Sequence, residues 1–223
     1  MIKIENLSKI YNSKRDAVVA LSEVSLSIKS GEFVSIVGPS GSGKTTLLLC
    51  MGGLIHPSRG KVTIGEDSIY DLDVKKRAIF RLRNLGFVFQ TFNLIPYLTA
   101  LENVQIPLAL AGISDGHQSG RAAELLEKMG LADRLNHKPR ELSIGQQQRV
   151  AIARALANDP KIILADEPTG NLDPDLSLDI MNLFREINAA GTTVLVATHD
   201  RELVRHVGRR AIMLDHGRVV ESA

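Results

Sequence analysis

The sequence predicts an α/β protein with a mostly parallel sheet, an antiparallel β-subdomain near its start and an inserted helical subdomain. Three observations carry this. Short β-branched apolar runs bounded by glycine alternate with stretches of helical period, the pattern of strands buried on both faces and joined by helices. The first 30 residues and residues 61–72 instead alternate apolar and polar, which suits antiparallel strands with one wet face. From about Thr91 to Arg140 the period is helical, and Pro96, Pro107 and Pro139 interrupt it.

Taken along the chain, strands are expected at Glu32–Val37, Lys61–Ile64, Leu85–Phe89, Lys161–Ala165, Thr192–Thr198 and Arg210–Leu214. Helices are expected at Lys44–Leu54, Leu98–Ala111, Arg121–Met129, Ile144–Asn158 and Pro174–Ala189. The run SDGHQSG at 114–120 reads as a loop from its glycine and serine content. No Ser/Gly/Pro-rich linker divides residues 1–223, so one domain is expected, with the helical subdomain spanning about 91–157.

Composition narrows the function. Of 223 residues, 44% are hydrophobic and 23% charged, as in an ordinary globular protein. Lys plus Arg total 27 against 25 Asp plus Glu, a net charge of +2, too balanced for holding nucleic acid by a wholesale basic surface. The single cysteine, Cys50, suits a reducing compartment. The start, MIKIENLSKIYNSKRD, has no apolar leader core, and no 18 apolar residues run together. A cytosolic chain is expected.

Residues 38–45 read Gly-Pro-Ser-Gly-Ser-Gly-Lys-Thr and fit G-x-x-x-x-G-K-[ST], after an apolar strand and before a helix. Gly38, Gly41 and Gly43 let the backbone between Pro39, Ser40 and Ser42 curl, so that successive N–H groups face phosphate oxygens, and the helix through Lys44, Thr45 and Thr46 adds its positive end. Lys44 reaches the β- and γ-phosphates and the Thr45 hydroxyl suits Mg²⁺. The core is therefore expected to be a P-loop nucleoside-triphosphatase fold.

A second apolar strand ends in Asp166-Glu167, at the sheet edge where α/β proteins place ligands. Asp166 suits Mg²⁺, which takes one or two carboxylates and keeps its water. Glu167 is placed to orient or deprotonate an attacking water.

Residues 142–149 read Leu-Ser-Ile-Gly-Gln-Gln-Gln-Arg, before the helical run VAIARALAND. Here the sequence resembles the ATP-binding cassette (ABC) ATPases, whose signature is Leu-Ser-Gly-Gly-Gln, and the resemblance covers essentially all 223 residues. The family's elements stand in order: Tyr11, the P-loop, Gln90, the signature, Asp166-Glu167, Asn171-Leu172-Asp173 and His199. The resemblance implies the ABC ATPase fold with ATP and Mg²⁺ as ligands. It implies that Tyr11 stacks on adenine, that Gln90 touches Mg²⁺ and water and senses nucleotide, and that His199 meets the γ-phosphate and the water. Ser143, Gly145 and Gln146 would then grip the γ-phosphate of ATP bound to a second copy, in a head-to-tail dimer coupled through Asp173. Ile144 replaces the first signature glycine, a departure expected to cost little because Ser143 and Gly145 are kept.

The pieces FNLIPYLTALENV, LSIGQQQRVAIARALAN and ADEPTGNLD look like the lipoprotein-release and macrolide-export group. That implies an integral membrane permease subunit as partner, work at the cytoplasmic face of the membrane, and no nucleic acid. Phe92, Leu94, Ile95, Tyr97 and Leu98 are the expected apolar anchors for a helix of that partner. The alternatives are a soluble ABC ATPase of DNA or ribosome work, which usually carries tandem cassettes, coiled-coil inserts or zinc modules, and an amino-acid importer ATPase.

Overall fold

A computed structural model describes residues 1–12 and 17–222; positions 13–16 of the alternating N-terminal stretch lie outside the described residues. Strands β1 (Ile2–Asn12) and β2 (Ala17–Ile28) lead to β3 (Phe33–Val37) and helix α1 (Lys44–Met51). Next come β4 (Arg59–Ile64), β5 (Asp67–Ser68), α2 (Val74–Asn84) and β6 (Leu85–Phe89). Helices α3 (Ala100–Leu110), α4 (Asp115–Lys128) and α5 (Ile144–Leu156) follow. Then β7 (Ile162–Asp166), α6 (Pro174–Ala189), β8 (Thr193–Thr198), α7 (Arg201–Val207), β9 (Arg210–Asp215) and β10 (Arg218–Ser222) complete the chain.

The β-runs sort into two sheets, as their periods require. Alternating β1, β2, β4 and β5 form an antiparallel sheet in the order β2-β1-β4-β5. The continuous apolar runs form a six-stranded sheet, β10-β9-β3-β8-β7-β6, parallel except for the β9–β10 hairpin. All of β3 and β8 is buried, because side chains on both faces are covered. Val194 and Val196 point into one core with α3, α4, α5 and α6, while Leu195 and Ala197 point into a second core with α1 and the antiparallel sheet. Each fully buried Leu, Ile or Val contributes about 1.5–3 kcal/mol.

Several expectations need correction. The 114–120 stretch is not a loop: α4 begins at Asp115, with Ser114 in extended N-cap geometry. Buried Gln118 donates to Ile113 O, and a Cβ at Gly116 or Gly120 would meet open space, so these glycines lie on the outer face and do not interrupt packing. Helix α1 stops at Met51, three residues early, because Gly52 and Gly53 follow and Gly53 takes φ +65°. Residues 91–99 are irregular, and α3 starts only at the Thr99–Glu102 capping box. Helix α2, helix α7 and strand β10 were not expected at all, while short β5 falls within the 61–72 stretch read as antiparallel. No residue of α2 is fully buried; Phe80 packs partly buried against the second core, and Asp73 capping Lys76 N–H, Arg77 over the Tyr70 ring and Arg81 bonded to Gly53 O hold the helix.

Candidate active site

Sheet register assembles the site. Parallel pairing sets Val37 opposite Thr198, Ala197 opposite Asp166, and Asp166 opposite Phe89. The residues that follow these strand ends, Gly38, His199, Glu167 and Gln90, therefore emerge along one sheet edge. A cleft of about 420 Å³ opens there, lined by Ser40, Gly41, Gly43, Lys44, Thr45, Thr46, Gln90, Glu167 and His199, with Val18, Val19 and Ala20 of β2 on its flank.

The loop of residues 38–43 needs its glycines for space as well as for dihedral freedom. Gly43 has φ +104°, and a Cβ there would stand 2.4 Å from Ala20 O; at Gly38 it would stand 2.1 Å from Leu214 O. Lys44 is buried, and its Nζ donates to Gly38 O at 2.8 Å and Pro39 O at 3.2 Å. Among the described residues the buried Ser42 hydroxyl has no hydrogen-bond partner. A closed backbone cradle, a buried ammonium and a spare hydroxyl together fit a polyphosphate.

The acidic end of β7 divides its two carboxylates. Thr45 Oγ1 donates to Asp166 Oδ1 at 3.1 Å. Burial pushes the Asp166 carboxyl above the usual aspartate range, and Glu167 adds to the rise, while the Thr45 hydrogen bond and Lys44 oppose it. A hydroxyl beside a half-buried carboxylate is a hard oxygen pair of the kind Mg²⁺ takes. Glu167 sits in the left-handed region at φ +46°, its N–H donating to Ala197 O at 2.8 Å. This conformation costs a non-glycine residue of order 1–3 kcal/mol and places the carboxylate between Lys44 and His199. One oxygen lies 3.5 Å from Lys44 Nζ, and the other 2.9 Å from His199 Nδ1.

Gln90 closes the cleft from β6; its carbonyl accepts from Asn171 Nδ2 at 3.1 Å, and Gly170 leaves room for its side-chain amide. Tyr11 stands beside the cleft, half exposed, with its hydroxyl 3.5 Å from Thr46 Oγ1 and the Lys9 ammonium 5.0 Å from its ring centre. Not every expected site residue converges. Ser143, Gly145, Gln146 and Asp173 do not line the cleft. Ser143 caps α5 by accepting from Gln146 N–H, while the Gln146 side chain accepts from Ser143 N–H. Asp173 caps α6.

Three contributors escaped the sequence reading. Val18 and Val19 are exposed apolar side chains on the flank of the cleft, and the unbroken run Ala17-Val18-Val19-Ala20-Leu21 was their signal. Fully buried Gln148 donates to Pro168 O at 2.7 Å, tying α5 to the segment after Glu167, a contact that no local pattern announces.

A groove of about 380 Å³ lies near the cleft, where Phe87, Phe89, Ile95, Pro107 and Leu110 contribute most of its apolar wall. Of the five anchors expected after Gln90, only Ile95 lines it: Leu94 packs on the core, and Tyr97 is 82% exposed. The groove draws on the ends of β6 and α3, which the reading confined to residues 92–98 missed.

A family model described as ABC transporter matches residues 21–170. An uncharacterised ABC transporter ATP-binding protein of Thermotoga maritima is 48% identical over 219 residues, covering 98% of this chain and 93% of that protein. The macrolide export ATP-binding/permease protein MacB of Burkholderia pseudomallei is 44% identical over 220 residues, but the chain spans only 34% of its length. A solved dimeric structure of the ATP-binding cassette MJ0796 in a post-hydrolysis state, bound to ADP and Pi, is similar with a TM-score of 0.93 and 48% identity, covering 100% of this chain and 98% of that one. A relative of that name from Methanocaldococcus jannaschii is 50% identical over 224 residues, covering 98% of this chain and 95% of the relative. The chain belongs to the ABC transporter family, as an ATP-binding cassette and an ATPase.

Proposed function

We propose that this chain is the motor subunit of a complex of the lipoprotein-release or macrolide-export kind, pairing head-to-tail with a second copy and driving a separate membrane permease from the cytoplasmic face. The observation that carries this is the division of the site. Lys44, Thr45, Glu167, Gln90 and His199 line one cleft, with Asp166 bonded to Thr45 behind it, while the capped N-terminus of α5 at Ser143 does not line that cleft. A helix N-terminus whose Gly145 amide has no intrahelical acceptor is an anion site awaiting an anion from outside the chain. The dimeric MJ0796 cassette and the MacB likeness support the pairing and the export role over the soluble and amino-acid-importer alternatives. Among the described residues no helix is long and apolar enough to cross a membrane.

Within the cleft, the amides of residues 38–43 and Lys44 hold the phosphates. Thr45, Asp166 and Gln90 would hold Mg²⁺, which when bound offsets charge on the phosphate oxygens. Glu167 orients the attacking water and accepts its proton at the oxygen facing the cleft, with His199 fixing the carboxylate through its other oxygen. Tyr11 offers a π-face and reads no base edge. Glu167→Gln tests this: ATP binding is expected to stay within about twofold while hydrolysis falls by 10²–10⁴ and dimers accumulate. Normal turnover, or a monomer at saturating ATP, would sink it.

A further inference from the structure

The segment after Gln90 holds a conformation that its own sequence disfavours. Phe92 at φ +59° and Asn93 at φ +50° are successive non-glycine residues in the left-handed region. Such strain persists only where the surroundings hold it. Two local bonds, Phe92 N–H to Phe89 O and Asn93 N–H to Thr91 O, turn the backbone so that both carbonyls face α5. There Arg154 donates from one terminal nitrogen to Phe92 O at 2.6 Å and from the other to Asn93 O at 2.6 Å. The guanidinium is largely withdrawn from water, and burial lowers its pKa. Among the described residues it has no carboxylate partner, so both arms serve these two carbonyls. Just past the end of α5, Asn158 donates to Leu82 O and Pro107 O, fixing this end of the helix to the elements on either side.

The opposite end of the same helix is Ser143, eleven residues or roughly 16 Å away. We propose that Arg154 is a positioning residue, a latch through which the segment carrying Phe92 and Asn93 travels with the signature end of α5 and so relays its displacement to Gln90 and to the adjoining groove. Arg154 itself lines that groove beside Phe89 and Ile95, so a segment docked there bears on the same guanidinium. A planar fork is required: two parallel donors match two successive carbonyls, and a lysine ammonium is a single point charge. This inference rests on the reading of Gln90 as nucleotide-sensing and of Ser143 as phosphate-gripping.

The test compares Arg154→Met and Arg154→Lys with the parent chain in steady-state ATP hydrolysis and in amide hydrogen exchange. For Arg154→Met the expected result is a kcat at least tenfold lower with the KM for ATP within twofold. Exchange should rise at residues 92–98 while the first turns of α5 keep their protection. Arg154→Lys should keep the raised exchange and recover only part of the rate. Unchanged kcat and exchange overturn the inference. So does full recovery with lysine, or exchange rising evenly over α3, α4 and α5, the signature of a residue that only stabilises the helices. Gln90→Ala separates the two levels: if it leaves kcat intact, the reading of Gln90 fails whatever Arg154 does.

Discussion

Asn103 gives the sharpest stability prediction. It is fully buried, on the first turn of α3, and organises the loop that precedes that helix. Its Oδ1 accepts from Ile95 N–H at 2.8 Å, and its Nδ2 donates to Thr99 O at 2.9 Å and to Ile95 O and Leu98 O at 3.2 Å each. Asn103→Ala removes all four contacts, but they do not count equally. Ile95 O keeps Leu98 N–H, and Thr99 O keeps the Asn103 backbone N–H. Ile95 N–H and Leu98 O are left unpartnered, at about 1–3 kcal/mol each, so the expected loss is about 2–6 kcal/mol. For a chain of this size that is a fall in Tm of roughly 4–24 °C. Asn103→Asp should be worse despite its equal volume, because a carboxylate cannot donate and would face three carbonyl oxygens. Urea and thermal unfolding monitored by circular dichroism read both. An alanine variant within about 1 kcal/mol of the parent, or an aspartate variant more stable than alanine, would refute the reasoning.

Two further predictions follow from single features. Ile144 is half exposed at the first position of α5, so Ile144→Gly should change ATP turnover less than about tenfold, roughly 1.4 kcal/mol; a larger rise in a steady-state phosphate-release assay would show that the isoleucine obstructs the partner's phosphate. For Glu32, burial alone would raise the pKa, but the Lys29 N–H bond and Arg210 together hold it below 4.5. A depressed folded value stabilises above the unfolded pKa and is lost as pH falls through the folded one. Glu32→Gln should therefore lower stability at neutral pH and make little difference at pH below the carboxylate range, which urea titrations at several pH values will show.

What the sequence made legible follows from how locally each feature is encoded. Strand β6 and helix α6 lie where expected, because continuous apolar runs and a Pro-led amphipathic stretch announce themselves within a few residues. Gly38, Gln90, Glu167 and His199 are legible for a related reason: each directly follows a strand end, and parallel register carries those ends to one edge. Helix α2 was missed because its apolar side chains are at most partly buried among five lysines and arginines, and a cap, a ring contact and a carbonyl bond to residues outside the helix help to hold it. The 114–120 stretch was misread because Gly116 and Gly120 lower helix propensity, yet packing of α4 on α3 and α5 outweighs about 1 kcal/mol per glycine. Val18, Gln148 and Arg154 act on partners distant in the chain, so no window of sequence contains both halves of their contacts.

The central claim is that one copy supplies the cleft and another supplies the signature. Lys44→Ala disables the first and Ser143→Arg the second, so each variant alone should be inactive. Mixed in equal amounts, they form heterodimers that regain one complete site of two, and ATP turnover should return to roughly a quarter of the parent rate. A mixture no more active than either variant alone would contradict the account.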